Sequence, residues 1–542
     1  MNISFVFSWL FLMIAIYSNI DVVFAQCLSD QQSMLLQLKK NLVFDAIESK
    51  KLVQWNETNN IDCCSWDGVT CDEEGHVTGL SLGQESISGG IFDNSSLLDL
   101  QHLETLDFSS NNFESTIPAS IGDLSTLSYL NLSDAGFLGQ IPPELSQLTQ
   151  LIILDLSENI WLGNSLMLWD QNLSIFVQNF SKLEESFLDG VNKSASGSEW
   201  CQALSSSVPK LRVLSLIRCD LYGPLDQVLE NFQSLSVIRL DHNYLFGPVP
   251  AFFSNVPKLT SLHLLDCHLN GTFPSEIFQI QTIDISNNEL LQGSLPKNFK
   301  KNNALQKLVL TYTNILGFLP MSMGSLSNLS ILDLSNCEFS GEIPTSMEKL
   351  TQMVYLHLSF NKLTGQVPSF KMSKNLTGLY LSHNMLTSTI SSSDFEGLSN
   401  LVKFDFSRNV LNGSIPRSLF LLPTLEDIDL SNNRFDGQLP ESFNMSSSVL
   451  QRLDLSSNNL QGPIPLSIFK LPKLKFLFLS TNKFNGPILL DKIQGPSNPT
   501  TIDLSHNDVF SIASDKDTNW PSLSKLKLLQ VSSCKLIFFP NL

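Results

Sequence analysis

The sequence predicts an α/β solenoid, and three observations carry that expectation. An apolar pattern, Leu-x-x-Leu-x-Leu, recurs about every 24 residues, with starts at Leu103, Leu127, Leu151, Leu211, Leu235, Leu259, Leu305, Leu329, Leu401, Leu425, Leu450 and Leu474. An asparagine follows the pattern at a fixed offset, as at Asn111, Asn243, Asn361, Asn433 and Asn458. A Gly-x-Ile/Leu/Val-Pro tail then closes the unit, as in Gly341 to Pro344 and Gly413 to Pro416. Self-similarity of this length marks stacked coils rather than a compact globule.

Each part of the unit has a physical reason. Alternate apolar residues such as Ile428 and Leu430 send side chains to one face of a short strand, while Asp427, Asp429 and Ser431 point to the other. The Asn433 amide can bond main-chain groups that the strand-to-loop turn leaves unpaired. Gly then relaxes the backbone limits and Pro fixes φ, turning the chain outward. This is the pattern of leucine-rich repeats, so the expected architecture is a leucine-rich-repeat superhelix with a concave parallel β-sheet. About nineteen coils fit the length.

Composition bounds the partners. The formal charge of −19 argues against nucleic acid or an anionic membrane surface. Residues 1–25 hold a short apolar run ending in Val23-Phe24-Ala25, which reads as a signal peptide. Secretion agrees with a dense set of Asn-x-Ser/Thr sequons at Asn56, Asn94, Asn131, Asn172, Asn179, Asn192, Asn270, Asn328, Asn375, Asn412 and Asn444, all glycosylation candidates. Asn131 falls inside a strand, where a glycan would obstruct the open face.

Residues 26–76 lie outside the repeat. Leu35, Leu36, Leu38 and Leu42 recur at helical spacing after Ser29-Asp30, which reads as an N-cap followed by an amphipathic helix. Trp55 and Trp66 bracket Cys63-Cys64, with Cys71 further on. In an oxidising compartment four cysteines allow three pairings, and adjacent Cys63 and Cys64 rarely pair with each other. The expected pairing is Cys27–Cys63 with Cys64–Cys71. A segment stapled in this way suits the cap that an open solenoid end requires.

The array is expected over 77–542, irregular at 160–210, where a degraded coil threads through Leu183 to Asn192. Cys219, Cys267, Cys337 and Cys534 occupy the ladder position taken elsewhere by Asn, and are expected to be buried thiols. No cysteine-bearing C-terminal cap and no apolar run long enough for a membrane helix follows the signal.

The cap motif Cys63-Cys64-Ser-Trp66-Asp-Gly68-Val-Thr-Cys71, joined to repeats closing in Gly-x-Ile-Pro, resembles the plant-specific class of extracellular leucine-rich-repeat proteins. Asp189-Gly190-Val191-Asn192, Glu199 to Leu204 and Gly271-Thr272-Phe273-Pro274 are similar to the receptor-like proteins associated with Verticillium wilt resistance. That resemblance implies a cell-surface immune receptor that binds a microbial protein or peptide and signals through an adaptor receptor kinase and a co-receptor. It also implies a membrane anchor in a longer form. The alternatives are a secreted protein resembling polygalacturonase inhibitors, or a truncated, inactive or decoy receptor.

No catalytic, cofactor or metal constellation stands out: His-Glu-x-x-His, Walker and kinase motifs are absent from the sequence. Asp405, Asp429 and Asp454 align one coil apart, but the same Asp recurs at Asp107, Asp155, Asp284, Asp333 and Asp503, so periodicity accounts for it. An enzyme is not expected. Recognition would fall to residues that depart from the repeat on the open strand face: Arg239, Lys307, Tyr355, His357, Tyr380, Lys403, Arg452, Phe476 and Phe478. Tyr355, His357 and Tyr380 sit on adjacent coils and form the best cluster.

Overall fold

The computed structural model describes residues 26–56, 62–158, 166–168, 173–192, 196–441, 448–488, 499–511 and 526–535. The signal-peptide reading, the ladder position Asn159 and the sequons Asn172 and Asn444 lie outside them. The chain divides into two compact units, Met1–Leu221 with Asn231–Leu235 and Tyr222–Glu230 with Ser236–Leu542.

The first unit begins with the cap. Helix α1, Ser29–Asn41, buries Leu35, Leu38 and Gln31. Its N-cap is Leu28, with no side-chain cap bond, so the expected Ser29 cap is one residue off: Ser29 is already helical, and its carbonyl accepts from Ser33 Oγ. Cys27 is bonded to Cys63 and Cys64 to Cys71, each with Cα atoms 5.6 Å apart. The Asp62 carboxylate ties the two bridges together by accepting from the Cys27 and Cys64 N–H groups at 2.9 and 3.0 Å. Glu85, buried to 2% exposure, accepts at one oxygen from Ser49 Oγ and from the N–H groups of Lys50, Lys51 and Leu52. A buried carboxylate is tolerated there because its lone pairs are satisfied by donors.

Strand Val69–Cys71 pairs antiparallel with Val77–Ser81, and from there the ladder is parallel. It passes through Thr105–Asp107, Tyr129–Asn131, Ile153–Asp155, Glu185–Phe187 and Val213–Ser215. The irregular stretch therefore keeps its place in the sheet through Glu185–Phe187. Its extra length is spent on α2, Leu173–Val177, and α3, Gly197–Ser207, which bury Phe176, Trp200 and Cys201. A capping box between Ser196 and Glu199 starts α3.

The second unit is a longer parallel ladder of three-residue strands, from Val237–Arg239 through Ser261–His263, Thr282–Asp284 and Lys307–Val309 onward. Register is strict: Ile331, Tyr355, Gly378, Lys403, Asp427, Arg452 and Phe476 align along one row. The middle residue of these strands points inward, with Leu356, Leu379, Ile428 and Leu453 at 0% exposure, and only Leu529 in the last described strand is half-buried. Each such side chain contributes about 1.5–3 kcal/mol of burial.

The asparagine row works as expected. Asn433 Nδ2 donates to the carbonyls of Phe406, Leu430 and Ser431 at 2.9–3.2 Å, and its Oδ1 accepts from Leu411 N–H at 3.0 Å. Cysteine reproduces the donor half: the Cys267 and Cys337 thiols donate to the carbonyls of Leu240 and Leu310 at 3.1 and 3.2 Å. Burial pushes these thiols up to about 12 and about 11.

Two features go beyond the expected coil. The residue before the ladder position takes a positive φ, +48° to +60° where it is not glycine, as at Asp134, His242, Tyr312, Phe360 and Thr481. The tail after the ladder also forms strands, Asn270–Thr272, Asn288–Gly293, Thr313–Phe318, Glu338–Glu342 and Lys362–Gly365, paired as a second parallel ladder. Pro then precedes a single helical turn, as at Pro320 before Met321–Ser325 and Pro344 before Thr345–Lys349.

Candidate recognition face

The outward row of the second unit brings some of the sequence candidates together. Tyr355, His357 and Tyr380 form one aromatic cluster: ring centroids lie 5.4 Å apart for the two tyrosines, 5.1 Å for His357 and Tyr380, and 6.0 Å for Tyr355 and His357. His357 Nδ1 lies 3.3 Å from Asp333 Oδ2 and 3.4 Å from the Tyr355 hydroxyl. Burial works against ionisation of Asp333, but hydrogen bonds from His357 and Ser335 outweigh it and hold its carboxyl below the usual range. Burial, then the charge of Asp333, pushes the Tyr355 phenol up to about 12. Tyr380 is raised by burial and by the charges of Asp427 and Asp405.

The repeat pattern does not point to the residue that makes this cluster fit. Gly378 occupies the row between Tyr355 and Lys403, and a Cβ there would meet Tyr380 Cε2 at 2.8 Å and Tyr355 Cδ2 at 3.1 Å. Both rings lean into the space that a missing side chain leaves. The only sequence signal was a glycine at a row position where other coils carry a side chain.

A second group is ionic. Arg452 reaches Asp454 at 2.9 Å, Asp429 at 3.2 Å and Asp427 at 3.7 Å, and its guanidinium lies 5.6 Å from the centre of the Phe478 ring. Burial raises Asp427 and Asp454 against the pull of Arg452. Lys307 pairs with Asp284 at 3.5 Å, and Arg239 is exposed on its strand. Lys403 stands beside Asp427 in register and its charge acts against the burial that raises that carboxyl, while Phe476 stands beside Arg452.

The sequons divide by exposure. Asn94, Asn179, Asn328, Asn375 and Asn412 are exposed, whereas Asn56, Asn131, Asn192 and Asn270 are half-buried. Asn131 lies on the strand face of the first unit, where its Nδ2 donates to the Tyr129 hydroxyl and its Oδ1 accepts from Ser133. Elsewhere in the second unit, Asp266, His268, Glu289, Leu290 and Tyr312 border a hollow of about 720 Å³ beside the ladder turns. Among the described residues no helix is long and apolar enough to cross a membrane.

Comparison with known proteins agrees with this geometry. The leucine rich repeat N-terminal domain family matches residues 28–72, and leucine rich repeat families match 102–124, 126–148, 328–350, 374–435 and 449–471. Receptor-like protein 6 of Arabidopsis thaliana is 30% identical over 323 residues, 56% of this chain and 27% of that protein. Receptor-like protein 50 of Arabidopsis thaliana is 39% identical over 121 residues, 21% of this chain and 14% of that protein. The chain thus matches about a quarter or less of the length of these curated relatives. Among solved structures, the ectodomain of the Arabidopsis receptor kinase HAESA in complex with an IDA peptide hormone ligand shares the fold. Its TM-score is 0.77 at 24% identity, covering 94% of this chain and 86% of that one. The ectodomain of the Arabidopsis thaliana receptor kinase GASSHO1/SCHENGEN3, in complex with CASPARIAN STRIP INTEGRITY FACTOR 2, gives 0.68 at 25% identity, covering 89% of this chain and 65% of that one. These similar structures are binding ectodomains rather than catalytic domains. The chain is a leucine-rich-repeat solenoid, similar to plant receptor-like proteins and to the ectodomains of plant receptor kinases.

Proposed function

We propose that this chain is the extracellular recognition module of a plant cell-surface immune receptor, binding a microbial protein or peptide through the outward strand row of its second unit. The observation that carries the reading is the Tyr355–His357–Tyr380 cluster, three rings held together on a face whose side chains the fold does not need. Similarity to receptor-like proteins supports the receptor role, and the resemblance of Asp189 to Asn192 and Glu199 to Leu204 to Verticillium-resistance proteins supports the immune one. That the same fold holds a peptide hormone in HAESA supports a peptide or protein ligand by analogy of fold alone. Signalling would pass to a partner receptor kinase and co-receptor, with the ladder outside the cell and an anchor in a longer form.

The test is capture. The secreted chain, immobilised, is exposed to culture filtrates of plant-pathogenic microbes, in parallel with a variant carrying Tyr355→Ala and Tyr380→Ala. Capture of a microbial protein by the first and at least tenfold weaker capture by the second supports the reading. Equal capture by both removes the site, and no capture from any filtrate removes the immune role.

A further inference from the structure

Charge on the outward row of the second unit is sorted by position. In its first strands the exposed charge is positive. Arg239 is exposed, and Lys307 keeps 32% side-chain exposure while its partner Asp284 is sunk to 13%. Burial lowers His263, which lies between them, and the charges of Lys307 and Arg239 lower it further against the opposing pull of Asp284. Beyond the aromatic cluster the balance reverses. Asp405, Asp427, Asp429 and Asp454 face Lys403 and Arg452, and Arg452 already serves three of those carboxylates. The rings of Tyr355 and Tyr380 stand at the border between the two fields.

We infer that this face takes an extended peptide laid across the strands, with an anionic group on Arg239 and Lys307 and a cationic side chain over the Tyr355 and Tyr380 rings beside Asp405. The inference rests on the receptor reading above and adds the ligand's charge pattern and span. Five strand steps separate Arg239 from Tyr355. At about 4.8 Å each they cover about 24 Å, which an extended chain crosses in about seven residues. A cation within about 6 Å of a tyrosine ring is attracted to its face, and the neighbouring carboxylates reinforce that attraction. The strand between the two ends presents Ile331, an apolar seat for the middle of the peptide, beside Asp333, which is paired with His357. Uniformly basic or uniformly acidic chains would meet a like charge at one end, which costs affinity.

Selection from a display library of random twelve-residue peptides tests this on the full chain. Three immobilised forms are compared: wild type, Arg239→Glu with Lys307→Glu, and Tyr355→Ala with Tyr380→Ala. Arg239→Glu alone serves as a further form, since it leaves the Lys307–Asp284 pair intact. Sequences enriched on wild type should carry an acidic and a basic residue about six to eight positions apart. Charge reversal should abolish the acidic preference, and ring removal the basic one. A synthetic copy of the top sequence should lose about tenfold in affinity when either charge is neutralised. Enriched peptides without that spacing, identical selection on all forms, or no enrichment overturns the inference. Should microbial capture still depend on the two tyrosines while the spacing is missing, the receptor reading stands and the charge pattern alone falls.

Discussion

The two faces of the same strands in the second unit obey different rules. Inward, Leu332, Leu356, Leu379, Phe404, Ile428, Leu453 and Leu477 are all large and apolar, at 0–1% exposure. Outward, in the same register, stand Ile331, Tyr355, Gly378, Lys403, Asp427, Arg452 and Phe476, with no shared size or charge. Close packing admits only large apolar side chains inside, because each coil must fit the next, whereas water accepts almost any side chain outside. The difference teaches where to look for recognition: in the residues that stacking leaves unspecified.

The largest expected effect breaks the comparison if it fails. Leu356→Ala should destabilise the second unit by about 3–5 kcal/mol in denaturant titration, while Tyr355→Ala, its chain neighbour, should stay within about 0.5 kcal/mol. Equal costs would mean that the outward row also holds the coils together. Next is the turn that joins the faces. Asn433→Ala should cost about 2–3 kcal/mol, since it strands the Phe406 carbonyl and the Leu411 N–H, while Asn433→Cys should cost less because a thiol keeps the donor. Thermal unfolding of the two variants side by side reads the difference.

A third prediction sharpens the outward rule. Gly378→Val should push the Tyr355 and Tyr380 rings apart and weaken ligand capture about tenfold, leaving the thermal midpoint near that of wild type. An unchanged affinity would show that the rings bind independently of their packing. The smallest effect lies in the first unit, where a carboxylate sits half inside. Burial, with Asp134 nearby, raises Glu158 to about 7, and its Oε1 has no hydrogen-bond partner. A carboxyl raised in the folded state destabilises it as pH climbs from the unfolded value, about 4.5, through 7. Glu158→Gln should therefore leave stability nearly unchanged at pH 4 and add about 1 kcal/mol at pH 8, the gain being limited by partial exposure. A gain of equal size at pH 4 would assign the effect to packing.

The coil, the asparagine row and the place of the Leu183 to Asn192 segment were legible because each follows from a period. The cap could be read from its cysteines and tryptophans. What escaped the sequence has no period in residue type. Tyr312, Phe360 and Thr481 share a left-handed backbone because their N–H groups must reach Ser335, Ser382 and Ser505 on the next coil, a demand made by stacking and not by the side chain. The second ladder of short strands reads as a turn in the sequence, since each coil closes in a Gly-x-Ile/Leu/Val-Pro tail or a variant of it, yet these strands hold one glycine each and no proline. The aromatic cluster was visible as three aromatic positions, but the role of Gly378 was not: a missing side chain leaves no mark except through the rings that fill its place. Arg452 and Phe478 stand apart in the sequence, and only the register of adjacent strands joins them.

The thiols of Cys267 and Cys337, which stand in for asparagine, carry one more consequence. With the second unit folded, almost none of either is thiolate at pH 5 to 8, the form that attacks disulfides, so the closed unit keeps both sulfurs out of thiol–disulfide exchange. Alkylating reagents should label them only after unfolding, which makes these two sulfurs an internal reporter of whether the second unit is open or closed.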